Sequence, residues 1–213
     1  MSKRPVRTVL SDRALDVIGV PVNMRAKSMN DFDTFGKRSL ADVKSFMVDY
    51  LSFIDRRYEE NKGLFLYGSN GVGKTFIASM VLIEAYRHRY SAKRVSFAEY
   101  VQIYTRAWNA NSVEQREELE SQWYTEYKAV EFLVLEEIGK EIDSKIAAPI
   151  LEDLLRYRED KQLPTIVCTN LDVEMVEERY GISVVSLIQG NMTPILIEGK
   201  DKRSSYYVDR TTK

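Results

Sequence analysis

Eight consecutive residues, GSNGVGKT from Gly68 to Thr75, follow directly on the apolar run LFLY. Their types and order suit phosphate. Glycines let successive backbone N–H groups turn inward around a phosphate, where side chains would obstruct them. Lys74 supplies a point charge to phosphate oxygens, and the Thr75 hydroxyl can coordinate Mg2+. The pattern G-x-x-x-x-G-K-T between a strand and a helix is a nucleotide phosphate-binding loop in the context it requires. Gly68, Ser69, Asn70, Gly71, Val72, Gly73, Lys74, Thr75 and Phe76 are therefore expected to hold ATP, with Mg2+ as its companion ion.

Two further stretches fit the same chemistry. FLVLEE is an apolar strand ending in adjacent acids, Glu136 and Glu137. At the carboxyl end of a strand one acid can hold the metal and its water shell while the next orients an attacking water. TIVCTN delivers Asn170 to the same edge of a sheet, where an amide can position that water beside Glu137. Taken alone, an Asn after a strand caps a helix or makes a turn, and two acids make a solvated turn. Beside the loop they read as metal ligand (Thr75, Glu136) and catalytic pair (Glu137, Asn170).

These residues need elements to place them. GLFLYG, VSF, EFLVLEE, TIVCTN and PILIEG read as five short buried strands. FIASMVLIEAYRHRY, SKIAAPILEDLLRYRED, DVEMVEERYG and ISVVSLIQG read as helices between or after them. The stretch AEYVQIYTRAWNANSVEQREELESQWYTEYKAV is expected to form two helices, broken at NAN, with Ser112 and Gln115 as a capping box. SLADVKSFMVDYLSFIDRRYEE has helical apolar spacing and reads as one helix. Apolar strands alternating with helices imply an α/β fold, a parallel sheet of about five strands covered on both faces.

Residues 39–213 are assigned to this domain and residues 1–38 to an arm ahead of it. The arm, punctuated by Gly, Pro and Asn, is expected to be mostly irregular and not needed to complete the sheet. Its basic start suggests a partner-binding role. Within it, DFDTF reads either as an aromatic lid on the base or as part of a solvated tail.

The whole chain of 213 residues carries a net charge of −1, which removes bulk attraction to nucleic acid and leaves only local patches for such binding. A single cysteine, Cys168, excludes an internal disulfide framework, and its apolar setting reads as core. No signal-peptide pattern and no membrane-length apolar run are visible, so a cytoplasmic protein without membrane contact is expected.

The order of these parts, most specifically LYGSNGVGKT, LVLEEIG and LPTIVCTNLDVEMV, resembles the AAA+ ATPases of the DnaC/IstB helicase-loader type, from about Asp31 to Arg203. The resemblance implies binding of ATP and Mg2+, with Lys74 and Thr75 as the loop pair, Glu136 and Glu137 as the Walker B acids and Asn170 as the first sensor. It implies no separate C-terminal lid domain and self-association side by side when ATP is bound. The implied partners are a ring-shaped, DnaB-like replicative helicase and single-stranded DNA, or a transposase in the mobile-element branch. Two departures stand out. The first acid is Glu136 where the family has Asp. Leu187 lies about where an arginine should reach a neighbour's γ-phosphate, with Arg179 and Arg203 the nearest substitutes. Both point to weak hydrolysis more than to weak binding.

EYVQIYTRAWNAN interleaves Tyr100, Tyr104 and Trp108 with Arg106. Two readings stand: a stacking platform for single-stranded DNA through Tyr104, Arg106 and Trp108, or an amphipathic helix packing its aromatics on the sheet. A small-molecule kinase shares the loop, but such enzymes need several arginines around the migrating phosphoryl group, and the stretch from Gly181 to Met192 has none.

Overall fold

The computed structural model describes residues 5–7, 9–141 and 144–199. Five strands, β1 (Gly63–Tyr67), β2 (Ala92–Ser96), β3 (Phe132–Ile138), β4 (Thr165–Thr169) and β5 (Met192–Leu196), form one sheet in the order β2-β3-β4-β1-β5. All four pairings are parallel. The three central strands are the continuous apolar runs, as expected of strands covered on both faces. The edge strands are less obvious in the sequence: β2 begins three residues before the expected Val95 and includes Lys93 and Arg94, and β5 begins at Met192 rather than Pro194. An edge strand tolerates long charged side chains and a proline, because only one side of its ladder is paired.

Alternation along the strands divides the core. Leu64, Leu66, Val134, Ile166 and Cys168 face one layer, which contains α2 (Arg38–Ser52), α3 (Ile54–Glu59) and α4 (Lys74–Arg87). Phe65, Leu133, Leu135 and Val167 face the other. That second layer is built by α5 (Phe97–Trp108), α7 (Ser144–Asp160), α8 (Val173–Tyr180) and α9 (Ile182–Asn191). The expected single helix from Ser39 is two, α2 and α3, with the backbone leaving helical geometry at Phe53. The expected break at NAN holds: α5 ends at Trp108 and α6 (Val113–Trp123) starts after Ser112, whose hydroxyl accepts from the Gln115 amide. The Gln115 side chain accepts in return from Asn111 N, one residue outside the cap.

The arm is more ordered than its composition suggests. Ser11 caps a helix, α1 (Asp12–Ile18), and Leu15, Ile18, Val20, Met29 and Phe32 are all buried in the first core layer. Short 3-10 turns at Val22–Met24 and Met29–Asp31 continue it. Phe32 packs on Phe76 with ring centroids 5.7 Å apart, so DFDTF contributes a core residue and not a lid over a base. The expectation of a mostly irregular arm is corrected here: five apolar residues spaced through it are buried in the first core layer, with α1 beside β2.

One buried cation holds the amino ends of the central strands. Arg158 on α7 donates to Thr165 Oγ1 and to the carbonyls of Lys128, Val130, Glu131 and Pro164, at 2.7 to 3.3 Å, without any carboxylate in the set. Burial lowers its pKa to about 9.

Candidate functional site

The strand order decides what meets what. β4 lies between β1 and β3, so Asn170 at its end stands between the loop that follows β1 and the acids that end β3. Lys74 Nζ donates to Asn170 Oδ1 at 2.8 Å and to the carbonyls of Gly68 and Ser69 at 2.6 Å each. Asn170 Nδ2 donates onward to Asn70 Oδ1 at 2.9 Å. The side chains of the loop and the sensor position are thus one connected network.

The loop enters with Gly68 at φ 136°, in the region that favours glycine, and a Cβ there would lie 2.3 Å from the Ile197 carbonyl oxygen. Gly68 and Ser69 do not line the cavity that most of the loop borders, and Val72 is buried in the first core layer. Asn70, Gly71, Gly73, Lys74, Thr75 and Phe76 line a cavity of about 790 Å³, together with Glu136, Glu137 and Asn170. That is ample for a nucleotide.

Two neighbouring acids on a regular strand would point to opposite faces. Here a β-bulge intervenes. Glu136 pairs in register with Cys168, Ile138 with Thr169, and Glu137 between them takes φ 61°. The bulge is what lets both carboxylates reach one cavity. Their environments differ. Glu136 is 5% exposed, and its Oε2 accepts from Arg94 Nε at 2.7 Å and also from Arg94 Nη2. Its Oε1 is buried with no hydrogen-bond partner among the described residues. Glu137 is exposed and paired with Lys140 Nζ at 2.6 Å. Cys168 beside them is buried, and burial pushes its thiol well above the ordinary range, which makes it a core residue.

The residue set fits a magnesium nucleotide. A glycine loop with a lysine offers phosphate donors, while a hydroxyl and a carboxylate with an unpartnered oxygen offer the few protein ligands Mg2+ takes beside phosphates. Among the described residues no cluster of three or more His, Cys, Asp or Glu side chains could hold a metal ion without such help.

Arg94 and a segment of the arm are among the residues of this cavity that escaped the sequence reading. Arg94 lay hidden because β2 was expected to start after it, though a basic pair beside a strand that ends in acids was a usable signal. Pro21, Asn23 and Met24 come from the arm and form one wall. Of the two substitutes for the missing arginine, the structure describes one. Arg179 is committed to Glu141, donating from Nε to Oε1 at 2.8 Å and from Nη2 to its carbonyl at 2.9 Å. Leu187 is buried in the second core layer. Arg203 lies outside the described residues. Burial raises the Glu141 pKa, but the Tyr180 hydroxyl, Arg179 and Gly139 N–H hold it below the ordinary carboxylate value.

The aromatic stripe on α5 runs from core to surface. Tyr100 is fully buried, packed against Phe97, Trp123 and Tyr127. Tyr104 is half-buried, 5.3 Å from Trp123 and 5.9 Å from Trp108. Trp108 is 58% exposed and Arg106 is exposed. The amphipathic-helix reading therefore describes Tyr100, while Tyr104 and Trp108 form an accessible pair. Across from them α6 buries no residue and presents Glu114, Glu117, Glu118 and Glu120 to solvent.

A family model described as the IstB-like ATP binding protein matches residues 13–186. The replicative helicase loader DnaI of Bacillus subtilis (strain 168) is 26% identical over 155 residues, covering 70% of this chain and 48% of the loader. An ATP-binding protein of insertion sequence IS232, from Bacillus thuringiensis subsp. berliner, is 28% identical over 154 residues, covering 72% of this chain and 57% of that protein. The chain thus spans about half the length of the curated relatives it matches. Among solved structures, that of the DnaC helicase loader superposes with a TM-score of 0.70 at 19% identity, covering 84% of this chain and 100% of that one. The shared architecture is the AAA+ P-loop fold.

Proposed function

The chain belongs to the IstB-like ATP-binding proteins, and from that premise we propose that it acts in DNA replication as a helicase loader that uses Mg2+–ATP. The observation that carries this reading is the network joining Lys74, Asn170 and Asn70 at the mouth of a cavity that also receives Glu136 and Glu137. The DnaI relative supports the helicase as partner.

In this reading Lys74 and the loop amides hold the phosphates, and Thr75 and Glu136 hold the metal. Bound Mg2+–ATP supplies an activated phosphoryl group for hydrolysis and a charge that favours assembly of neighbouring chains. Glu137 accepts a proton from water, and Asn170 orients that water by its amide. Hydrolysis is slow. Both acids are held by cations of this chain, Arg94 and Lys140, and none of Leu187, Arg179 or the rest of α8 and α9 offers a free guanidinium to a neighbour. The arm, residues 1–38, meets the partner with its outer face, where Val9, Val17 and Val22 are exposed opposite the buried Leu15 and Ile18. Single-stranded DNA meets Tyr104, Arg106 and Trp108. No helix among the described residues is long and apolar enough to cross a membrane, and the cytoplasm, where such a helicase works, is the proposed location.

A helper of a transposase is the second reading, favoured by the insertion-sequence relative. The two separate by partner. The purified chain with Mg2+–ATP should co-elute with the replicative helicase of its source cell and place that ring on closed circular single-stranded DNA. Failure to associate with the helicase in any nucleotide state, alongside ATP-dependent association with a transposase, would overturn the loader reading and establish the helper.

A further inference from the structure

Arg94 serves two masters. Its Nε and Nη2 grip Glu136 Oε2, and its Nη1 donates to the Gly19 carbonyl at 3.2 Å. Gly19 ends α1, with its own N–H returned to the carbonyls of Leu15 and Asp16. The junction is tight: at φ 86° a Cβ on Gly19 would stand 3.1 Å from both the Cβ and the carbonyl oxygen of Arg94. From that junction the arm runs on to Pro21, Asn23 and Met24, which line the cavity itself. A path of contacts therefore leads from the metal acid through one guanidinium to the arm and back to the cavity wall.

We infer that Arg94 is a positioning residue that ties Glu136 to the N-terminal arm, so that metal loading of Glu136 and seating of α1 against β2 are competing uses of the same side chain. The inference rests on the reading of Glu136 as the metal acid. Two nitrogens of the guanidinium sit on Glu136 Oε2, and a divalent ion arriving at the unpartnered Oε1 of the same carboxylate draws off its charge and repels the arginine beside it. The guanidinium is a rigid plane, so withdrawing Nε and Nη2 from Glu136 carries Nη1 away from Gly19 as well. What remains at the junction is Lys93 Nζ on the Val17 carbonyl, at 2.9 Å, and the buried faces of Leu15 and Ile18. The arm is then loosened without being released. By reciprocity, a partner that draws the arm away frees Glu136 for the metal.

Hydrogen exchange measured on the full chain tests this, with ATP plus a chelator compared to ATP plus Mg2+. The amides of Leu15 to Gly19 should exchange about tenfold faster with the metal, a typical coupling between two sites. In Arg94→Gln these amides should exchange fast from the start and ignore the metal. That variant leaves Glu136 buried and unpaired, so the double variant Arg94→Gln with Glu136→Gln serves as its control. Its neutral amide pair should keep the melting temperature near that of the parent while abolishing the metal response. Unchanged α1 exchange in the parent, with ATP binding in the same samples, would overturn the coupling and leave the nucleotide site standing. A double variant that keeps the full metal response would overturn it too. No ATP binding under either condition would bring down the site reading and this inference with it.

Discussion

At the carboxyl edge of β1 and β4, Lys74 donates to Asn170 at 2.8 Å and Asn170 to Asn70 at 2.9 Å, and each sits where a strand end or a glycine turn puts it. On the α5–α6 hairpin, Tyr104 packs on the rings of Trp108 and Trp123, Arg106 is exposed and the facing helix is acidic. Both surfaces had residue types suited to a phosphate-bearing ligand. The difference is in who positions the side chains. Main-chain geometry and a parallel sheet pre-arrange the first, so its groups are already near the arrangement a nucleotide needs. The second depends on side chains at a helix surface, and four glutamates of α6 raise the cost of bringing a polyanion to it.

Lys74→Ala should do the most to break this contrast. Hydrogen bonds to a charged group contribute about 1.5–3 kcal/mol each, so removing the ammonium should weaken ATP binding on the order of 100-fold. Titration calorimetry would read it. An unchanged Kd would mean that the connected network is merely structural and that the two surfaces are alike.

On the hairpin, Tyr100→Ala and Trp108→Ala should part company. Truncating the buried Tyr100 should cost about 3 kcal/mol, or a fall in Tm of about 6–12 °C. Trp108→Ala should move stability by no more than about 0.5 kcal/mol and single-strand affinity by about 1–3 kcal/mol per stacked base. Thermal melts and binding isotherms on the same two variants sharpen the comparison. Trp108→Ala with DNA affinity intact would remove DNA from this surface.

The smallest effect concerns pH. Glu141 has a folded pKa below its ordinary value near 4.5, so its contribution is fully present above that pH and fades as pH falls through the folded value. Glu141→Gln should therefore be about 1–3 kcal/mol less stable at pH 7, with the gap closing below about pH 4.5. Urea melts of both proteins between pH 7 and pH 3 would show it. A gap constant over that range would mean that the Arg179 and Tyr180 contacts do not depend on the carboxylate charge.

What could be read in advance follows the same division. The loop, the strand ends and the helices of the second core layer were legible, because each depends on local residue type or on the period of apolar residues along a few turns. The positions of Glu136 and Glu137 were legible, but the bulge that brings both to one side was not, since nothing in LEEIG marks φ 61° at a glutamate. Strand order was not legible either, so the contact between Lys74 and Asn170, 96 residues apart, came only with the fold. Arg94 was hidden by an edge strand whose charged residues mask its period, and the arm by apolar residues too sparse to show a face until β2 supplied one.

Arg158 bears on how the molecule assembles. Its acceptors come from the π turn at Tyr124–Lys128, from the entrance to β3 and from the turn into β4. None of them suffices alone for a cation taken wholly out of water. A chain that had docked α7 before pairing β3 with β4 would bury that charge with most of its donors unanswered. Such a partly formed state lies high in free energy, so the second core layer and the central strand pair should form and dissolve together, in a single cooperative step.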